Sequence, residues 1–166
     1  MTHVTQEDLS DVRVLVVEDN PFQRRILIKV LETLLAAEVR QAGDGAEALA
    51  VLESFLPDVI LTNCRMQPVP GLEFARRVRA SDQRPFQSVP IIMLSAENEL
   101  SQAQTARSAG INAFLIKPVA PETLREQILQ LINNPPPFVR SAAYVGPDRR
   151  TSELPFSGRD RRRADV

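Results

Sequence analysis

The sequence has very few of the residues on which disulfide-linked, zinc-binding and membrane-spanning proteins depend. It contains one cysteine (Cys64), one histidine (His3) and no tryptophan. A single cysteine excludes an intramolecular disulfide and fits a reducing compartment, and a single histidine leaves the common zinc-site patterns without ligands. No apolar run approaches the length of a membrane span, and the polar, acidic N-terminus does not resemble a secretion signal. We therefore expect a cytoplasmic protein that does not insert into membranes.

Length and charge distribution indicate one globular domain with a chemically distinct tail. The 166 residues are 43% hydrophobic and 25% charged, which is enough for one well-buried domain and an appendage. Residues 135–166 contain seven arginines, no lysine and four acidic residues, a net charge of +3, whereas residues 1–134 carry a net charge of −4. We place an N-terminal extension at 1–11, a globular domain at 12–134 and a Pro/Arg-rich tail, predicted to be largely disordered, at 135–166.

Short β-branched runs alternate with helical patterns through the globular domain. Strands are predicted at Val12–Val17, Val39–Ala42, Val59–Thr62, Ile91–Leu94 and Ala113–Ile116. Helices are predicted directly after Asn20-Pro21 and at Ala46–Phe55, Leu72–Ala80, Leu100–Ala109 and Pro121–Ile132. The first helix places Phe22, Ile26, Leu27, Val30, Leu31 and Leu34 on one face, with Arg24, Arg25 and Lys29 largely outside it. This alternation predicts an α/β fold with a doubly wound, five-stranded parallel sheet covered by helices on both faces.

Polar and charged residues fall where four of the predicted strands end. The pair Glu18-Asp19 follows the first strand, Asn63 the third, Ser95 the fourth and Lys117 the fifth. Because sites on such sheets lie at the carboxyl ends of the strands, we expect these side chains to converge on one pocket.

These residues, together with Met66, Gly71 and Pro118 at their spacings, resemble the receiver domain of two-component response regulators, the CheY-like fold. The resemblance covers residues 12 to about 133. It implies a phosphoryl-transfer site in which an aspartate is the nucleophile, an acid pair holds Mg²⁺, and a lysine and a hydroxyl contact the phosphoryl group. Glu18, Asp19, Lys117 and Ser95 match the supporting roles.

The residue at the phosphoacceptor position is Asn63, whose neutral amide is a poor nucleophile. No stable acyl phosphate is expected there, although the amide oxygen could join Glu18 and Asp19 around a weakened Mg²⁺ site. Two explanations stay open: a natural pseudo-receiver with another input, or an engineered Asp→Asn change in a phosphorylated protein. Gln67 and Pro70 also depart from the family pattern, and Phe114 occupies the aromatic switch position without a hydroxyl.

The tail contains an internal repeat, YVGPDRR at 144–150 and FSGRDRR at 156–162. Five positions match at an offset of 12 residues, namely Tyr144/Phe156, Gly146/Gly158, Asp148/Asp160, Arg149/Arg161 and Arg150/Arg162. Guanidinium groups bind guanine edges or phosphate in a two-pronged way, an aspartate accepts from guanine N–H groups, and an aromatic ring stacks on a base. Two such units match a ligand with two guanines and two phosphates, which is cyclic di-GMP.

The tail also resembles the arginine-rich extension of CheY-like cyclic-di-GMP effectors of the flagellar motor. That resemblance implies ligand contacts at Tyr144, Asp148, Arg149, Arg150, Phe156, Asp160, Arg161 and Arg162. The alternatives are a solvated basic extension and a nucleic-acid arm, and the four interspersed acids disfavour the latter.

We predict a regulator that acts by docking and is not an enzyme. The resemblance implies a flagellar motor switch protein or a histidine kinase as the protein partner. Two other functions stay open: a conventional Mg²⁺-dependent phospho-receiver with a passive tail, and a scaffold that binds a kinase through the helix beginning near Phe22.

Overall fold

The computed structural model describes residues 8–82, 84–96 and 100–150. Five parallel strands form one sheet: β1 Arg13–Val17, β2 Glu38–Ala42, β3 Val59–Asn63, β4 Ile91–Ser95 and β5 Ala113–Ile116. Their order is β2-β1-β3-β4-β5. The α/β doubly wound sheet predicted from the sequence is confirmed. Its topology reverses beside β1, so the ends of β1, β3, β4 and β5 share one edge, where a site is expected.

Five helices cover the sheet: α1 Pro21–Thr33, α2 Gly45–Leu52, α3 Gly71–Ala80, α4 Leu100–Ser108 and α5 Pro121–Asn133. One core cluster joins the sheet to α1 and α5, and a second joins its other face to α2, α3 and α4. A short 3₁₀ helix, Pro85–Ser88, precedes β4. The longest of the described helices has 13 residues, and none of them is long and apolar enough to cross a membrane.

The first helix begins as its sequence predicts. Asn20 caps it, because its side-chain oxygen accepts hydrogen bonds from the backbone N–H groups of Phe22 and Gln23, both at 3.0 Å. Its buried stripe is narrower than the predicted apolar face, since Leu31 is fully buried but Phe22 is 71% exposed and Ile26 49% exposed. The first turn of α1 therefore presents apolar surface to solvent.

The described chain also packs against the sheet and helices outside residues 12–134. Leu9, placed in the N-terminal extension, is fully buried in the core beside α1 and α5. Beyond residue 134 the chain forms a two-stranded antiparallel hairpin, β6 Phe138–Arg140 and β7 Val145–Pro147, where the sequence indicated a tail without regular structure. The hairpin is held by packing against the globular domain. Its composition could not supply a hydrophobic core of its own.

Candidate functional site

The carboxyl edge of the sheet brings together the acid pair, Asn63 and Lys117. The Lys117 ammonium lies 3.0 Å from the Glu18 carboxylate, which is only 3% exposed, so a charge pair is held at the bottom of the pocket. Asp19 is exposed at the rim. Burial of a carboxylate is costly without a cation and donors close by, and Lys117 supplies the cation.

The Asn63 amide nitrogen faces the acidic side of this pocket. It donates to Glu18 Oε1 at 3.2 Å and to the Arg65 carbonyl at 2.9 Å, with Asp19 Oδ1 at the limit of hydrogen bonding, 3.5 Å away. A carboxylate has no hydrogen to donate in these directions and would repel both acids. Asparagine therefore stabilises an arrangement that aspartate would destabilise.

The Asn63 amide oxygen faces the basic side. It accepts from Lys117 Nζ at 3.2 Å and from the Cys64 backbone N–H at 3.0 Å. Lys117 also donates to Gln23 Oε1 at 2.8 Å, so its three N–H groups have three oxygen partners. The Asn63 amide and the Lys117 ammonium thus both have hydrogen-bond partners within the pocket.

The acidic pair offers only part of an Mg²⁺ site. Among the described residues, no group of three or more His, Cys, Asp or Glu side chains is arranged to hold a metal ion. The predicted third ligand, Asn63, turns its nitrogen to the carboxylates and its oxygen to Lys117. The amide would have to turn over before its oxygen could join Glu18 and Asp19 around a cation, so the carboxylate pair remains available to Mg²⁺ while Asn63 as it stands weakens the site.

Gly71 allows the loop that follows Asn63 to pack closely against the end of β3. Its backbone N–H donates to the Cys64 carbonyl at 3.0 Å, and a Cβ at this position would lie 2.1 Å from the Asn63 carbonyl oxygen. Only glycine permits that approach. The spacing from 63 to 71, on which the sequence resemblance partly rested, therefore has a steric reason.

The other two predicted pocket residues are buried. Ser95 is 3% exposed at the end of β4, and its carbonyl accepts from the Lys117 backbone N–H at 2.7 Å. Phe114 is fully buried in the cluster beneath α2, α3 and α4. Their roles as switch residues stay predictions.

Two pocket residues were missed in the sequence analysis. Gln23 accepts from Lys117, and Arg24 donates to the Glu18 carbonyl at 2.8 Å and to Gln41 at 3.0 Å. Both lie in the first turn of α1, whose start at Asn20 aims them at the pocket. The N-cap pattern in the sequence was the one available indication.

The first tail repeat is folded and partly packed. The Arg149 guanidinium lies 3.9 Å from the centre of the Tyr144 ring. Asp148 accepts from the Arg150 backbone N–H at 2.9 Å and from its side chain at 3.3 Å, and these bonds lower the Asp148 pKa. The second repeat, with Phe156, Asp160, Arg161 and Arg162, lies outside the described residues.

A buried arginine of α3 lies beneath the hairpin. Arg79 is 3% exposed and donates to four oxygens, those of the Gln87, Val89 and Gly110 carbonyls and of the Asn112 side chain, at 2.7 to 3.0 Å. Its guanidinium lies 5.7 Å from the centre of the Phe138 ring. Burial lowers the Arg79 pKa to about 10, so the group stays charged at neutral pH. Its spacing of four from Ala75 places both residues on one helix face, but no local pattern marked this arginine as the buried one.

Close backbone packing joins the hairpin to the domain. Gly146 and Pro147 are buried, and a Cβ on Gly146 would lie 3.1 Å from Gly110 Cα and 2.5 Å from the Tyr144 hydroxyl. That hydroxyl donates to the Pro147 carbonyl at 2.9 Å. The repeat's glycine therefore serves docking onto the domain, a role that the sequence did not indicate.

Alkaline titration of Tyr144, the only tyrosine, is expected to report the docked hairpin. Burial raises the Tyr144 pKa above its usual value, and nearby Arg149 partly offsets this. An acid whose pKa is raised on folding favours the folded state below its unfolded pKa, so hairpin docking weakens as pH rises from about 10 toward the raised pKa. Tyrosinate absorbance should appear at higher pH in native protein than in urea. Coincident titrations in the two states would contradict the docked geometry.

Comparison with known proteins matches the fold. The Response regulator receiver domain family matches residues 14–129. The chemotaxis protein CheY1 of Helicobacter pylori is 35% identical over 118 residues, which are 70% of this chain and 94% of the relative. The chemotaxis protein CheY of Pseudomonas aeruginosa is 32% identical over 117 residues, 70% of this chain and 93% of the relative.

Two solved structures are similar over the same region. The chemotaxis response regulator CheY4 of Vibrio cholerae has a TM-score of 0.64 and 34% identity, covering 73% of this chain and 98% of that one. The receiver domain of the histidine kinase CKI1 from Arabidopsis thaliana, solved with Mg²⁺ and BeF₃⁻, has a TM-score of 0.66 and 27% identity, covering 74% and 91%. The family match ends before the hairpin. This chain therefore belongs to the response regulator receiver family and is CheY-like in its fold.

Proposed function

We propose that this receiver works without an aspartyl phosphate at position 63 and takes cyclic di-GMP, bound through its arginine-rich tail, as its input. It acts by binding rather than by catalysis, and its output is docking to a protein partner. The observation that carries the proposal is the first tail repeat, in which an aromatic ring, a carboxylate and two guanidinium groups lie together at Tyr144, Asp148, Arg149 and Arg150.

Independence from phosphate is supported by the hydrogen bonding of Asn63. Its amide nitrogen and oxygen both have partners in the pocket, and Lys117, the group expected to meet a phosphoryl oxygen, is occupied by Glu18, Gln23 and Asn63. The pocket carries two carboxylates and one ammonium, one negative charge fewer than an aspartate-containing site. Mg²⁺ affinity rises with the number of charged oxygens, so a weakened Mg²⁺ site follows.

The energetics of tail binding favour two repeats acting together. A bidentate arginine–guanine pair or a stacked base contributes about 1–3 kcal/mol, while ordering a flexible segment costs about 2–5 kcal/mol. One repeat would barely offset that cost. Two repeats that each hold one half of a compact dinucleotide reach useful affinity, and the docked hairpin reduces the ordering cost of the first.

The relatives named as chemotaxis proteins support a motility output. We propose the flagellar motor switch as the partner, with swimming or surface attachment as the behaviour controlled. A second candidate, a kinase-binding scaffold, is favoured by the apolar first turn of α1, where Phe22 and Ile26 are exposed beside Arg25 and Lys29. Binding of a histidine kinase that Phe22→Ser abolishes, with cyclic di-GMP having no effect, would favour this second function.

The test is calorimetric titration of cyclic di-GMP into the full chain. Wild-type protein is expected to bind with a Kd on the order of 1 μM or tighter, and a variant with four repeat arginines changed to alanine is expected to bind at least about 100-fold more weakly. The changed residues are Arg149, Arg150, Arg161 and Arg162. A control variant removes the same charge from exposed receiver positions, Arg25, Arg40, Arg76 and Arg84. Wild type that does not bind, or equal affinities in both variants, would refute the proposal.

A further inference from the structure

A cluster of positive charge surrounds Tyr144 and includes residues from outside the tail. Arg149 covers the ring at 3.9 Å, and Arg107, in the last turn of α4, donates a hydrogen bond to the Arg149 carbonyl. Arg79 and Arg107 both act electrostatically on the Tyr144 hydroxyl. Three guanidinium groups from α3, α4 and the tail therefore meet at one aromatic side chain.

One carboxylate, that of Asp148, also acts on Tyr144. Within residues 8–82, 84–96 and 100–150, no ion pair joins a carboxylate to Arg79, Arg107 or Arg149. The nearby carboxylate of Asp148 is paired with Arg150 at 3.3 Å. Arg79 is enclosed by carbonyl oxygens, whereas Arg107 is half-buried and Arg149 is exposed. Arg107 and Arg149 are thus the two guanidinium groups that an incoming anion can reach.

We propose that Arg107 of α4 is a ligand-binding residue, which contacts a phosphate of the nucleotide held by the first tail repeat. The inference rests on the proposed function, since it assigns a receiver residue to that same site. Arg107 donates to the Arg149 backbone carbonyl, and both guanidinium groups act on Tyr144, so a phosphate oxygen beside Tyr144 can accept charge-assisted hydrogen bonds from both. The base then stacks on Tyr144 once the Arg149 side chain swings off the ring.

The docking of the hairpin explains why a receiver residue can reach the site. Gly146 against Gly110 fixes the repeat on the turn between α4 and β5, immediately after Arg107. The ligand site is then composite, and the two repeats are not equivalent: the first is completed by the receiver. Arg107 lies in the last turn of α4, so a ligand at the first repeat contacts the C-terminal end of α4 directly.

Calorimetric titration of cyclic di-GMP into the full chain tests this, with wild type, Arg107→Gln, Arg107→Lys and a control, Arg40→Gln. Arg40 is an exposed arginine on β2, at the sheet edge opposite β5. Arg107→Gln is expected to weaken binding about tenfold, and Arg107→Lys, which keeps the charge but loses the two-pronged geometry, about threefold. Arg40→Gln should bind as wild type does. In ³¹P spectra of the bound ligand, Arg107→Gln should shift one phosphorus resonance that Arg40→Gln leaves unchanged.

The outcomes separate this inference from the function on which it rests. If wild type binds and Arg107→Gln matches Arg40→Gln in affinity and phosphorus spectrum, the composite site is refuted while the proposed function stands. If wild type does not bind cyclic di-GMP, both are refuted. Tyr144 fluorescence of the unliganded variants checks that the hairpin remains docked; a tenfold loss with an unchanged phosphorus spectrum and altered fluorescence would assign Arg107 to docking alone and overturn the inference.

Discussion

Arg79→Ala is expected to lower the free energy of unfolding by about 3 kcal/mol or more. The change leaves four acceptor oxygens around a buried site without their donor, including the Gln87 and Val89 carbonyls before β4. Each buried acceptor that loses its partner costs about 1 kcal/mol or more, and the vacated volume adds a packing loss. Urea unfolding followed by circular dichroism measures the effect.

Two further substitutions in α3 distinguish the effect on stability of losing hydrogen bonds from the effects of losing volume and of losing a charge. Arg79→Met keeps most of the volume but has no donors, so it should remain about 2 kcal/mol less stable than wild type. Arg77→Ala removes a neighbouring exposed arginine, paired with Glu73 at 3.1 Å, and should change stability by about 0.5 kcal/mol or less. An Arg79→Met variant as stable as wild type would contradict the view that hydrogen bonds from Arg79 to the four oxygens stabilise the fold. Because Arg79 also lies under Phe138, Tyr144 fluorescence should change in the Arg79 variants and not in Arg77→Ala.

Asn63→Asp is expected to convert the pocket into a conventional receiver site. The variant places a third carboxylate beside Glu18 and Asp19 and removes the amide donor, so the metal-free protein should lose stability and gain Mg²⁺ affinity. Mg²⁺ at about ten times its Kd then stabilises the variant by about 1.4 kcal/mol, a rise in Tm of about 4 °C, while wild type should show little change. With acetyl phosphate and Mg²⁺, the variant alone should acquire an acid-stable, base-labile phosphoryl group.

Asn63→Ala is the matched control for that experiment. It removes the same amide without adding a charge or a nucleophile, so it should take up no phosphate and show no Mg²⁺ response. Phosphorylation of wild type would refute a phosphate-independent pocket. Phosphorylation of Asn63→Asp accompanied by loss of any effect of cyclic di-GMP would favour a conventional phospho-receiver with a passive tail.

The sheet and its site edge could be predicted because their signals are local and repeated. Short buried strands, such as Ile91–Ser95, alternate with helices whose apolar spacing is close to 3.6, and this alternation restricts the topology to crossovers of one hand. In a parallel sheet, the residues that follow the strands lie along one edge. The convergence of Glu18 and Lys117 on one pocket was therefore predictable, although 99 positions separate them in sequence and two strands lie between β1 and β5.

The hairpin could not be predicted in the same way. Its strands have three residues each, its composition is that of a flexible tail, and it is held by contacts with α3 and with the turn before β5. The decisive partner, Arg79, lies among three arginines of one helix that look alike in sequence. The apolar pattern of α1 also did not indicate which of its apolar side chains are buried. Leu31 is covered by neighbouring elements, whereas Phe22 is exposed.

The sequence by itself determined the fold, the edge of the sheet at which the pocket lies and the amide at position 63, because strand and helix periodicity and the chemistry of a side chain are local properties. Only the tertiary structure decided which way the Asn63 amide faces, which arginine of α3 is buried, and where the first tail repeat docks. Each of these depends on the balance of charge, burial and hydrogen-bond partners among segments distant in sequence. That balance is set when the chain packs, and no local pattern contains it.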